Sequence, residues 1–131
     1  MDRPGSRATI FGRVAIAHVL GLWATGMMGT IQSTAGFSIG EGAFIGIFLG
    51  GLLSLPWIIG LAGFIWFYGG LIERHPFAFA VIGPLVVCGT WAVTFGGMLE
   101  AVAISTVVSS FCYFLLTFFG RWRRAALANE A

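Results

Sequence analysis

Four apolar stretches, each long enough to cross a bilayer, alternate with short polar interruptions along this chain. A hydrocarbon core about 30 Å thick needs about 20 consecutive apolar residues in a helix, so the pattern predicts spans over about 10–32, 43–72, 77–96 and 101–119. The first interruption, from Gln32 to Gly42, mixes Ser, Thr and Gly with Glu41. The second, Glu73-Arg74-His75-Pro76, is only long enough to reverse direction, which makes spans two and three antiparallel neighbours. The third is a Gly96-Gly97 break followed by Glu100. Span two is longer than a perpendicular crossing requires, and Pro56, which lacks a backbone N–H, predicts a kink there; Pro84 offers a second in span three. The fold class is therefore an all-α integral membrane protein, a four-helix transmembrane bundle forming a single domain over 1–131.

Composition agrees. The chain is 58% hydrophobic and 9% charged, with a mean hydropathy of +0.95, whereas soluble domains carry about 25% charged residues. All seven basic residues are arginine, and their placement matters more than their number. Arg3, Arg7 and Arg13 open the chain, Arg74 lies between spans two and three, and Arg121, Arg123 and Arg124 close it. The other two connections contain none. Basic residues flanking spans are retained in the cytoplasm, so the pattern predicts both termini inside an inner (plasma) membrane of bacterial type, with short cytoplasmic segments at each end. Arg13, Arg74, Arg121, Trp122, Arg123 and Arg124 form the interfacial anchor. The run from Val14 to Ile31 exceeds the apolar core of a secretory signal, about 7 to 15 residues, and reads as a retained span. With its arginines spent at span ends, the chain has no basic face for nucleic acid; the expected partners are the lipid bilayer and other membrane subunits or copies of itself.

Helices in lipid associate through close packing, which small residues at four-residue spacing permit. Such spacing occurs in every span, and Gly42, Gly46 and Gly50 form the most specific run, marking a close crossing within the bundle or between protomers. Trp23, Trp57 and Trp91 fall at similar depths; they either fill space left by glycines or wall a pocket near mid-bilayer. Among intramembrane residues only His18 is readily ionisable. A neutral His18 bonded to a neighbouring helix is the structural reading, and a proton carrier or axial ligand is the functional one. Glu41 and Glu100 sit at helix starts on the outer face, where a carboxylate complements the dipole or gathers cations.

Little catalytic chemistry is spelled out. The first span holds no carboxylate, the outer connections no cysteine pair, and Cys88 and Cys112 stand alone within apolar runs. No nucleophile–base pair, phosphate loop or metal-ligand spacing is present, so no catalytic residue is predicted and the expectation is a non-enzymatic protein. Its expected role is an accessory or structural subunit packed within a larger membrane complex or homo-oligomer. The alternative is a small oligomeric transporter or channel for a solute or ion. A cofactor- or pigment-binding subunit is third, with haem, chlorophyll or quinone as ligand classes and His18 as the residue to hold one.

Overall fold

In the computed structural model, residues 4–32, 36 and 38–129 are described, without side-chain detail for 4–6, 123–125 and 127–129. They form four helices: α1 (Pro4–Gln32), α2 (Ile39–Arg74), α3 (Pro76–Thr94) and α4 (Leu99–Asn129). All four are long and apolar enough to cross a membrane, and no strand occurs among the described residues. Helices are the natural outcome, because a segment in hydrocarbon must satisfy its own backbone polar groups. α1 and α4 begin and end beyond the expected spans, carrying the arginines past the apolar stretches.

Each boundary has a local cause. Ser38 and Glu41 form a reciprocal capping box at the start of α2: the Ser38 N–H donates to Glu41 Oε2 at 2.8 Å, and the Glu41 N–H donates to Ser38 Oγ at 3.3 Å. His75 ends α2 and begins α3, its N–H reaching Leu71 O at 3.0 Å and its carbonyl accepting from Phe79 N at 3.1 Å. Pro76, in the first turn of α3, has no N–H to leave unmet. Gly96 adopts a left-handed φ of 67° to close α3, and Met98 follows at φ 57°, a conformation that costs a side-chain-bearing residue more.

Two expectations are corrected. The expected kink near Pro56 lies instead at Tyr68, where φ −116° and ψ 16° depart from helical values. A proline removes one backbone bond, whereas Tyr68 is followed by Gly69-Gly70, a pair that lets the backbone depart from the ladder. Spans two and three are joined by the tight turn but are not closely packed neighbours along their length. α1 packs extensively on α2 and on α4, α4 packs on α3, and α2 and α3 have the least contact of any adjoining pair.

The reason is where the small residues face. A β-carbon built on Gly46 would lie 2.6 Å from Leu22 O and 2.7 Å from Gly26 Cα; one built on Gly42 would meet Gly26 O at 2.8 Å and collide with the Thr30 hydroxyl. Gly42, Gly46 and Gly50 thus lay the α2 backbone against Leu22, Gly26 and Thr30 of α1. A second face of α1 meets α4, where Gly21 abuts Ser105 and Ser109 too closely for any side chain. α1 and α4 are consequently the inner helices, with α2 packed on the first and α3 on the second. A core of Ile10, Ala17, Ile65, Ile72 and Tyr113 closes the arginine-bearing end. Stacked rings of Phe64 and Phe79, and the edge contact of Phe79 with Tyr113, join α2, α3 and α4 there.

Candidate functional site: a cleft between the second and third helices

Because α2 and α3 meet at the arginine-bearing end yet pack little above it, they leave between them a cleft of about 1380 Å³. That exceeds the usual small-molecule pocket of about 300–1,000 Å³, and its lining runs from Gly42 and Met98 at one end of the helices to Leu71 and His75 at the other, which suits an elongated occupant. Leu53, Trp57 and Gly60 line one wall, and Ile82, Gly83 and Val86 the other. The back is supplied by α1 and α4, including His18 and Thr106. A β-carbon on Gly60 or Gly83 would meet nothing within 4 Å, so these glycines are not consumed by the chain's own packing.

The polar groups in this cleft are engaged with one another. His18 Nε2 lies 2.8 Å from Ser54 Oγ, linking α1 to α2. Ser54 Oγ also donates to Gly51 O at 3.0 Å. A hydroxyl has one proton, so with Ser54 donating to the carbonyl the shared contact requires the His18 Nε2–H to donate to Ser54. A single hydroxyl proton likewise fixes the contact between α3 and α4. Thr106 Oγ1 donates to Val102 O at 2.8 Å, which leaves Cys88 as the donor in its 3.4 Å contact with Thr106. Thr25 and Thr30 bond back to Gly21 O and Gly26 O. The hydroxyls that the cleft offers are therefore largely spent on their own helices.

The tryptophans separate. Trp57 and Trp91 line the cleft, whereas Trp23 does not and is 45% exposed. Trp91 is buried near the α3–α4 turn, donating from Nε1 to Gly97 O at 2.8 Å and packing on Phe95. His75 stands at the arginine-bearing rim of the cleft. Glu41 serves the capping box, with Ser38 Oγ also donating to its carboxylate at 2.9 Å, and Glu100 is exposed in the first turn of α4. No group of three or more His, Cys, Asp or Glu capable of holding a metal occurs among the described residues.

At the opposite extreme of polarity, Arg13, Arg74 and Arg121 converge with Glu73, Tyr113 and Thr117 on a second, smaller pocket of about 410 Å³ at the arginine-bearing end. Arg121 donates to the Glu73 carbonyl, and Arg7 lies 5.5 Å over the Trp66 ring. Trp122 is exposed beside this end, and the side chains of Arg123 and Arg124 lie outside the described residues. The residues that sequence reasoning missed are Tyr113 and Thr117, which carry no motif, and Ser54, a single serine within the apolar stretch of α2. No protein-family model matches this chain, and neither does any curated protein or solved structure.

Proposed function

We propose that this chain is a non-enzymatic subunit of a larger membrane assembly, with its arginine-bearing end in the cytoplasm, and that the α2–α3 cleft receives a transmembrane helix of another subunit. The observation that carries this reading is the unfilled apolar cleft with glycine on both walls. Lipid tails give helices no hydrophobic incentive to associate, so contact depends on backbones approaching closely, and Gly60 and Gly83 permit it from both sides. The engaged hydroxyls favour an apolar guest over one needing many hydrogen bonds. The confinement of Arg13, Arg74 and Arg121 to one end supports the orientation.

The glycines give a clean test. Gly60→Leu and Gly83→Leu place bulk where the chain itself has no atoms, so each variant should fold and purify normally. Affinity purification in mild detergent should then lose, at least ten-fold, a membrane subunit that the unaltered chain retains. Equal retention by both variants would overturn the reading.

A small oligomeric transporter is the second reading, favoured by the His18–Ser54 pair and Trp57 on the cleft wall. It requires solute flux in liposomes that is abolished by His18→Ala and Trp57→Ala without loss of assembly. A visible absorption band lost in His18→Ala would instead favour a cofactor-bearing subunit.

A further inference from the structure

The smaller pocket has a composition that the cleft lacks. Arg13 from α1, Arg74 from α2 and Arg121 from α4 line it, and the Glu73 carboxylate offsets one of their three charges, leaving two positive. Guanidinium groups are forked donors matched to phosphate oxygens, and basic pockets between helix ends at a membrane surface suit phosphate-bearing head groups.

A second observation is independent of charge. Thr117 is only 5% exposed, yet its Oγ1 is buried without a hydrogen-bond partner. Tyr113, one turn earlier, interacts with it only outside hydrogen-bond geometry. A buried hydroxyl normally satisfies itself on its own helix, as Thr25, Thr30 and Thr106 do here. Thr117 is the exception among the described residues, and it lines the arginine pocket.

The way Arg13 gets there is also built in. A β-carbon on Gly120 would come within 2.7 Å of Arg13 Nη2, so a glycine at that position leaves room for the guanidinium to lie across α4. Arg121 is held near the α2 terminus by its bond to the Glu73 carbonyl.

We propose that this pocket binds one phosphate group, with Arg13 and Arg121 contacting its oxygens and the Thr117 hydroxyl supplying the deepest donor. An anionic phospholipid head group and free inorganic phosphate share that chemistry. The site is independent of what fills the α2–α3 cleft.

Native mass spectrometry of the full purified chain, titrated with phosphatidylglycerol and with phosphatidylcholine, tests it. One phosphatidylglycerol should bind saturably and at least ten-fold more tightly than phosphatidylcholine. Thr117→Val, which keeps shape and removes the hydroxyl, should weaken binding about ten-fold, while Thr117→Ser should restore it. Gly120→Val should weaken it similarly by displacing Arg13 without changing charge. Arg121→Gln should do the same, whereas Arg7→Gln, with equal loss of charge at a residue outside the pocket, should stay within two-fold. Competition by millimolar inorganic phosphate would identify the free anion as a ligand, and resistance to it the lipid. Binding that falls equally in Arg7→Gln and Arg121→Gln, or that is unaffected by both Thr117→Val and Gly120→Val, would overturn the site.

Discussion

The most consequential residues are those with the least side chain. Gly46 brings α2 so close to α1 that even one added carbon meets backbone atoms of Leu22 and Gly26, which cannot swing aside as a flexible side chain would. Gly46→Ala should therefore destabilise the bundle by about 1–3 kcal/mol, the usual cost of overpacking. Gly63→Ala, at a position with nothing within 4 Å, should be neutral or stabilising. Thermal unfolding in detergent measures both, and the opposite signs are the informative result. The special register of Gly42, Gly46 and Gly50 was legible from spacing alone, but spacing does not say which helix they face. Likewise His18 stood out as an intramembrane imidazole, while Ser54, some ten residues into an apolar stretch of another helix, gave no sign of being its partner. A double-mutant cycle over His18→Ala and Ser54→Ala should give a coupling of about 0.6 kcal/mol, the average for interhelical hydrogen bonds in membranes, and no more than about 1.7 kcal/mol. Additive effects would mean that the 2.8 Å contact carries no energy.

Helix number and approximate ends followed from hydropathy, because length against bilayer thickness leaves few choices. Helix neighbours did not. A four-residue turn brings the facing ends of α2 and α3 together, yet their walls above it carry Trp57, Ile82 and Val86 beside unfilled glycines, whereas both faces of α1 offer backbone-to-backbone approach. Close packing outweighs sequence adjacency, and α1 lies between α2 and α4. The same competition explains α2 itself, which runs through Pro56 and departs from helical geometry at Tyr68 beside Gly69-Gly70. Pro56→Ala should leave the α1–α2 packing intact and raise stability modestly, by up to about 3 kcal/mol if the proline strains its helix. At the helix start, Ser38→Ala removes half of the capping box and should cost about 1 kcal/mol, measurable as a lowered unfolding midpoint. An unchanged midpoint would show the first turn of α2 to be held by packing instead.

Taken together, the helices form an open arrangement: closed at the arginine-bearing end by an aromatic and aliphatic core, and cleft between α2 and α3 beyond it. Charge placement made that end legible in the sequence, since Arg13, Arg74 and Arg121, far apart in the chain, meet where the fold brings one set of helix termini together. The cleft was not legible, because it is produced by two helices failing to pack, and an unpacked apolar face reads in sequence like any other. The tryptophans show the difficulty, with Trp57 and Trp91 on the cleft and Trp23 on the outer surface despite similar expected depths.

Photocrosslinking in intact membranes probes the cleft directly. A photoreactive residue replacing Val86, which is 54% exposed and lines the α3 wall, reports what lies against it. A discrete protein adduct is expected, its mass giving one additional chain, and it disappears when Gly60→Leu is introduced. Adducts with lipid alone, or a protein adduct that persists undiminished in Gly60→Leu, would show that no partner helix occupies the cleft.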